Sequence, residues 1–344
     1  MAKKFKVLWL EPLKDVWKEG KKFLEENNCD VVIGREQTLP EPFTEEEVIS
    51  LARDSNALLL VARERITKKI MENLSKLSIV VKAGIGVDNI DVKSATELGI
   101  LVANTPVPSD YLGVAEGAVA RILALSKNLA FSDRSVKEGL WLKEYDKLKG
   151  IYLRGKTLGI IGLGRIGSYV ARLMKPFGVK ILAYDPYVLK EKALLLDVEL
   201  VDLPTLLRES DIISIHAVLT QETRRMISEK QLRMMKKSAF IINTARGPII
   251  DEEALYRALK EGWIAGAALD VFEKEPPIDS PLLKEEISDK LLLSPHTSGL
   301  SEEMERDLTM AQVSCCLKAK EGIPPESTIN PQAIERWKER LPNL

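Results

Sequence analysis

One stretch restricts the fold of this chain more than any other: Leu158-Gly-Ile-Ile-Gly162-Leu-Gly164-Arg165-Ile166-Gly167. The apolar run Thr157–Ile161 reads as a strand buried on both faces, as in a parallel sheet. After the glycines the apolar spacing becomes helical, through Ile166, Val170, Ala171 and Met174. A Gly-x-Gly-x-x-Gly pattern alone is weak, because glycine is common in loops; between a strand and a helix it has a mechanism. Gly162 permits the tight turn, Gly164 lets the backbone approach a pyrophosphate, and Gly167 lets the helix lie close to the strand. The helix N-terminus, with unpaired N–H groups and a positive dipole end, would then receive the phosphates.

A second strand, Lys180–Tyr184, ends at Asp185. A carboxylate about 20 residues past the glycines accepts hydrogen bonds from ribose hydroxyls and repels a 2′-phosphate. No arginine follows immediately to receive such a phosphate, so the spacing predicts NAD rather than NADP. The 344 residues allow about two domains. With 50 Lys and Arg against 51 Asp and Glu, nothing points to a nucleic acid or a membrane surface. No apolar run is long enough to span a bilayer, and Met-Ala-Lys-Lys-Phe leads straight into a strand rather than a signal peptide. Cys29, Cys315 and Cys316 form no Cys-x-x-Cys pair and read as packing residues of a cytoplasmic protein. Only two histidines, His216 and His296, are present, neither near a cysteine, so no metal site is expected.

The glycine motif starts near mid-chain, so something folds before it. Strands are expected at residues 5–10, 30–33, 57–61, 79–82 and 100–103, alternating with helices. Thr44 and Glu47 make a capping box, Thr67 and Asp91 open two further helices, and Gly99 stops the second. This alternation with short connections means a parallel sheet wrapped by helices. Asn104-Thr-Pro106-Val-Pro108-Ser-Asp reads as a hinge. Residues 114–129 read as a long helix, apolar on more than one face, and 131–153 as an irregular arm with Trp141 and Tyr145. A second strand–helix series fills roughly 157–293, a helix spans 301–320, and a polar tail follows Gly322-Ile-Pro-Pro.

Ligands of doubly wound sheets lie beyond the carboxyl ends of the strands. Three ionisable groups stand at such ends. Arg246, in Asn243-Thr244-Ala-Arg246-Gly247, carries a guanidinium that matches a carboxylate bidentately. Glu275 follows the strand ending at Asp270-Val-Phe, and His296, which titrates near neutral pH unaided, follows Leu-Leu-Leu-Ser-Pro295. Each alone is more often a surface arginine, a solvated loop acid or a capping histidine. Together they suit reduction of a 2-oxo acid: a cation for the carboxylate, a proton donor, and a group to orient that donor. His216 also follows a strand, but no partner carboxylate is evident for it.

These residues resemble those of the D-isomer-specific 2-hydroxyacid dehydrogenase family. The likeness runs through Ala83-Gly-Ile-Gly-Val-Asp-Asn-Ile-Asp91, the segment from Gly155 to Gly167, Asn243-Thr-Ala-Arg-Gly247, Ala268-Leu-Asp-Val-Phe272 and Leu293-Ser-Pro-His-Thr-Ser-Gly299. The resemblance implies an α/β protein of two doubly wound parallel-sheet domains, a Rossmann NAD domain (105–299) inserted into a flavodoxin-like substrate domain (1–104 and 300–344). A dimerisation helix and arm near 111–153 would make a homodimer. Arg246 would grip a small 2-oxo or 2-hydroxy acid, His296 would be proton donor and base, and Glu275 would orient His296 and raise its pKa. Arg165 and Ile166 would lie at the pyrophosphate, Asp185 at the adenosine ribose, Thr244 beside the nicotinamide and Asp270 at its carboxamide. His216, Thr220, His296 and Gly299 would also line the cofactor, and Gly84, Ile85 and Gly86 would offer N–H groups to the substrate carboxylate.

The likeness has departures. The segment Asn104 to Glu116 lacks the glycine and second asparagine of the usual Asn-x-Pro-Gly-x-Asn and is one residue longer, and Val218 replaces a usual proline. Lys82 and Val61 stand where phosphoglycerate dehydrogenases carry arginines for the phosphate, although Arg63 and Arg65 are near, and no regulatory domain is expected after Leu344. The leading expectation is therefore a glyoxylate- or hydroxypyruvate-type reductase, with a D-3-phosphoglycerate dehydrogenase and an NAD-sensing, corepressor-like binding protein as alternatives.

Overall fold

Short runs of β-branched and leucine residues, fully buried in most strands, make strands that must be covered on both faces, and this chain covers two such sheets. The computed structural model describes residues 4–341 other than 14–15, 37–41, 62 and 144, so the first and last three residues of the expected substrate domain lie outside it. The chain divides into two compact units, Met1–Asp110 with Ser301–Leu344, and Tyr111–Leu300.

The first unit alternates β1 (Phe5–Trp9), α1 (Trp17–Glu26), β2 (Cys29–Ile33), α2 (Glu45–Ala52), β3 (Ala57–Leu60), α3 (Lys68–Glu72), β4 (Ile79–Ala83), α4 (Val92–Glu97) and β5 (Leu101–Thr105). Its five strands are all parallel, in the order β2-β1-β3-β4-β5. That is the flavodoxin-like order of a doubly wound sheet. Val7 and Trp9 point to one core and Leu8 and Leu10 to the other, the period-2 alternation of a strand buried twice. The Thr44–Glu47 capping box is formed, and Asp91 accepts the Ser94 amide to start α4.

Helix α5 (Pro108–Ser126) carries the chain into the second unit, followed by α6 (Leu129–Lys137) and α7 (Tyr145–Leu148). Then come β6 (Thr157–Ile161), α8 (Arg165–Met174), β7 (Lys180–Tyr184), α9 (Lys190–Leu195), β8 (Glu199–Leu200), α10 (Leu203–Glu209) and β9 (Ile212–Ile215). The unit closes with α11 (Glu229–Leu232), β10 (Phe240–Asn243), α12 (Glu252–Lys260), β11 (Gly266–Leu269) and β12 (Leu291–Leu293). The seven parallel strands lie in the order β12-β11-β10-β9-β6-β7-β8, with the direction of winding reversing between β6 and β9. Both sheets bear out the expected fold class. Helices α13 (Glu302–Lys320) and α14 (Ile334–Arg340) return to the first unit.

Three readings are corrected. The expected hinge is largely regular: Thr105 still belongs to β5, and Pro108 takes the first helical position of α5, where a missing N–H costs nothing. The long helix ends at Ser126, because Asn128 adopts a left-handed φ of 50°, and the arm restarts as α6 instead of running irregularly. The tail, expected to belong to the substrate domain but read as polar, contributes core residues to the first unit. Trp337 is fully buried, and Asn330 accepts the Val102 amide (2.8 Å) and donates to Ile100 O (2.9 Å), covering the open edge of β5. All three cysteines are buried thiols, and among the described residues no helix is long and apolar enough to cross a membrane.

Candidate active site

At the reversal of the second sheet, the β6–α8 turn is shaped by its glycines. Gly162 has φ +92°, and a Cβ there would stand 2.8 Å from the His216 carbonyl carbon and the Ala217 nitrogen. A Cβ on Gly167 would meet the Gly162 oxygen at 2.1 Å, so only glycine lets α8 start this close to β6. Around Gly164, by contrast, nothing lies within 4 Å of the Cβ position. The turn is closed on its protein side and open at Gly164, where α8 presents its first N–H groups beside exposed Arg165 and half-buried Ile166. This cradle fits a dinucleotide pyrophosphate. Asp185 is held at the tip of β7, its Oδ2 accepting the Leu163 amide (2.8 Å) and its Oδ1 the Tyr187 amide (2.9 Å). Both oxygens keep further lone pairs for ribose hydroxyls.

His216 stands directly after β9. Its Nε2 lies 2.8 Å from Ser214 Oγ, while Nδ1 is enclosed without a partner. Burial pushes the ring's pKa down to about 3, so it is neutral at physiological pH. Exposed Thr220 exchanges hydrogen bonds with Thr223, which also donates to Val218 O, bracing that loop.

Consecutive strands β10, β11 and β12 carry the three candidate catalytic groups, and their loops are tied together. A Cβ on Gly247 would lie 1.8 Å from the Phe272 carbonyl carbon, so the Arg246 loop is pressed on the β11 loop backbone. Asn243 accepts the Ala245 amide (3.0 Å) and donates to Arg246 O (2.9 Å), fixing that turn from below. The His296 amide donates to Asp270 O (2.8 Å), joining the β12 loop to β11. His296 Nδ1 lies 2.9 Å from Glu275 Oε2, and Glu275 Oε1 accepts the Phe272 amide at 3.1 Å. The acid is therefore aimed by backbone and the imidazole by the acid. His296 is exposed at 44% and adopts φ +56°, unusual for a residue with a Cβ. The Arg246 guanidinium donates to the carbonyl of the preceding residue, Ala245 O (2.7 Å), within its own loop. Buried Thr244 keeps an unpartnered Oγ1, as does Ser298, two residues past His296. Asp270 is fully buried and its carboxylate accepts from Arg121, Ser294, Thr297 and Ser298. Gly299 turns the chain out of this loop, against Gly113 of α5.

Residues 119–298 match the family model described as D-isomer specific 2-hydroxyacid dehydrogenase, NAD binding domain. The chain is 41% identical over 335 residues to a D-3-phosphoglycerate dehydrogenase of Methanocaldococcus jannaschii, spanning 97% of this chain and 61% of that protein. It is 41% identical over 297 residues to a glyoxylate reductase of Korarchaeum cryptofilum, covering 86% of this chain and 88% of that one. The crystal structure of the PH0520 protein from Pyrococcus horikoshii superposes with a TM-score of 0.77 at 30% identity, over 99% of both chains. The chain belongs to the D-isomer-specific 2-hydroxyacid dehydrogenase family.

For a member of this family, two features of the site are not visible in motif spacing. Arg121, on α5, reaches the Asp270 carboxylate from 149 positions away in the chain. The signal available to find it was Gly113-x-x-x-Gly117-x-x-x-Arg121, a one-sided helical stripe. In the first unit, the Gly84 amide already donates to Thr105 Oγ1 (2.9 Å), and Asn104 donates to Ile85 O (2.7 Å). Of the three residues expected to offer N–H groups there, Ile85 and Gly86 remain.

Proposed function

We propose that this chain is an NAD-dependent reductase of a small, unphosphorylated 2-oxo acid of the glyoxylate or hydroxypyruvate kind, forming the D-2-hydroxy acid. The observation that carries the proposal is the His296–Glu275 pair at 2.9 Å, with Glu275 itself anchored to a backbone amide. With Nδ1–H committed to Glu275, Nε2 is the ring position that gives a proton to the carbonyl oxygen and takes it back in oxidation. Bound NADH supplies the hydride. Arg246 holds the substrate carboxylate, its permanent charge balancing the acid without taking part in proton transfer. Ile85 and Gly86, in the first unit, offer amides to substrate. Thr244, with its unpaired Oγ1, and His216, which stays neutral, line the cofactor with Thr220, Asp270 and Gly299. Gly162, Gly164, Arg165, Ile166 and Gly167 hold the pyrophosphate, and Asp185 the ribose.

The division of labour follows the two units: 111–300 binds the cofactor and carries Arg246, Glu275 and His296, and the other is the substrate domain. We place the protein in the cytoplasm as a homodimer. Leu129, Val136, Trp141, Leu142 and Tyr145, all exposed along the arm, supply apolar surface for a second copy. Light scattering at the mass of two chains is the expected result.

A second reading, D-3-phosphoglycerate dehydrogenase, is favoured by the Methanocaldococcus relative. Against it, Arg63 is bound through one guanidinium nitrogen to both oxygens of Glu11, at 2.8 and 2.7 Å. NADH consumption against glyoxylate, hydroxypyruvate, pyruvate and phosphohydroxypyruvate separates the readings. Preference for an unphosphorylated acid is expected. Preference for the phosphorylated one transfers the protein to the second reading, and NADH binding without turnover of any acid defeats both.

A further inference from the structure

The loop that carries His296 does not hold itself. Residues 294–299 contain no regular structure, and His296 has a left-handed φ. What fixes the loop is a stripe of α5. A Cβ on Gly113 would sit 3.1 Å from the Gly299 oxygen, and one on Gly117 would sit 2.3 Å from the Ser298 oxygen and 2.9 Å from its carbonyl carbon and Cα. One turn further, Arg121 donates to Gly117 O (2.9 Å) and to Asp270 Oδ1 (2.7 Å), and also bonds Ser294 Oγ. The two charges are nearly buried, with side-chain exposures of 11% and 2%. Asp270 distributes that anchorage: Oδ1 accepts the Thr297 amide (2.9 Å) and the Ser294 hydroxyl (2.6 Å), Oδ2 the Ser298 amide (2.8 Å), and its main-chain oxygen the His296 amide (2.8 Å).

We infer that Arg121 is a positioning residue for catalysis, which acts through Asp270 and the Gly113–Gly117 face of α5 to hold His296 against Glu275. The arginine neutralises a carboxylate that would otherwise be buried with unbalanced charge while bound to three loop donors. The two glycines remove the side chains that would push the loop off the helix. Removing the brace lets the loop sample positions in which Nε2 no longer meets the carbonyl oxygen, and a displacement of about 1 Å at the reacting atoms lowers turnover by roughly 100-fold.

This inference rests on the reductase reading for its catalytic part, and the test separates the two. Amide exchange by mass spectrometry is followed in the peptide covering 294–300 for the full chain, Arg121→Met, Arg121→Lys and Gly117→Ala, alongside NADH affinity and steady-state kinetics with the preferred acid. In Arg121→Met and Gly117→Ala, exchange of that peptide is expected to quicken by roughly 10-fold or more while β6 and β7 stay protected. Turnover should fall by roughly 100-fold with KM and NADH affinity each within about 3-fold, and Arg121→Lys should recover part of both losses. Unchanged exchange in the loop overturns the brace, and faster exchange with unchanged turnover overturns its catalytic role. Should Arg121→Met not fold, Gly117→Ala and Arg121→Lys decide by the same criteria. Absence of turnover in the unaltered chain would defeat the reductase reading and with it the catalytic role, while the exchange measurement still decides the brace.

Discussion

The carboxyl edges of the two sheets are built from similar parts and treated oppositely. Along the five-stranded sheet, the arginines are paired: Arg63 and Arg35 both face Glu11, and the Gly84 amide goes to Thr105. Glu64 is the exception there: it is wholly buried, both its oxygens lack a hydrogen-bond partner, and its pKa is raised by burial and then by the charge of Glu11. Along the seven-stranded sheet, Thr244 Oγ1, Ser298 Oγ and His216 Nδ1 are enclosed without partners, while backbone ties hold the loops rigidly around them. Unmet hydrogen-bonding capacity costs stability unless a ligand or water uses it. The contrast lies in where the unpaired groups stand: on the second edge Thr244 and Ser298 lie in the loops that carry Arg246 and His296, whereas the first edge pairs its arginines with Glu11 and keeps Glu64 buried.

The contrast can be broken most severely at His296. His296→Ala removes the proposed proton donor and should lower turnover by roughly 10³-fold, about 4 kcal/mol of transition-state stabilisation, with NADH affinity nearly unchanged in a fluorescence titration. Retention of turnover within about 10-fold would move proton transfer to another group and leave the Glu275 contact without its role.

Next in size is the tie between the Arg246 and Glu275 loops. In Gly247→Ala the new methyl would start 1.8 Å from the Phe272 carbonyl carbon, so the backbone must separate. A loss of about 3 kcal/mol in urea denaturation is expected, together with weakened use of the acid as Arg246 shifts. An alanine variant as stable as the parent would show that the loops are not locked.

The edges also differ in how they respond to acid. Folding holds the His216 pKa near 3, below its ordinary 6.5, so protonation favours the unfolded chain. The neutral ring's contribution is fully present above about 6.5 and declines as the pH falls toward 3. Between pH 7 and pH 5 the loss attributable to this residue is about 2 kcal/mol. Urea denaturation of the parent and His216→Gln at both pH values measures it, and the variant should lose less stability on acidification by that amount. Parallel losses in both proteins would mean that the ring is solvated.

Much of this was legible beforehand for a simple reason: strands buried on both faces and turns with steric demands write themselves into local composition. Thr157–Ile161 followed by glycines that no Cβ could replace is such a case, and so are the Thr44 and Asp91 caps. The pairing of Glu275 with His296 could only be guessed, since the contact depends on three loops being tied through Gly247, Phe272 and Asp270. Arg121 went unread because the Gly113-x-x-x-Gly117-x-x-x-Arg121 stripe marks only a face of α5 and not the acid 149 positions away. The tail reads as polar because polar residues outnumber the few that matter: Trp337 and Ala333, which join the core, and Asn330, which bonds β5.

The smallest expected effect sharpens the comparison most. If the first edge has its charges committed internally, Arg63→Gln should change the ratio of turnover with phosphohydroxypyruvate and hydroxypyruvate by less than about 2-fold, since Glu11 already holds the guanidinium. The complementary change, Glu11→Gln, removes the charge that Arg63 and Arg35 now face, and should shift that ratio toward the phosphorylated acid by up to about 10-fold, ~1.4 kcal/mol. The two variants must therefore act in unequal degree, with the acid's removal the stronger. Should Arg63→Gln instead abolish use of the phosphorylated acid while Glu11→Gln does nothing, the ion pair opens during binding. The first edge would then be a phosphate site held shut by its own carboxylate, and the difference between the two edges would lie in when they bind rather than whether they do.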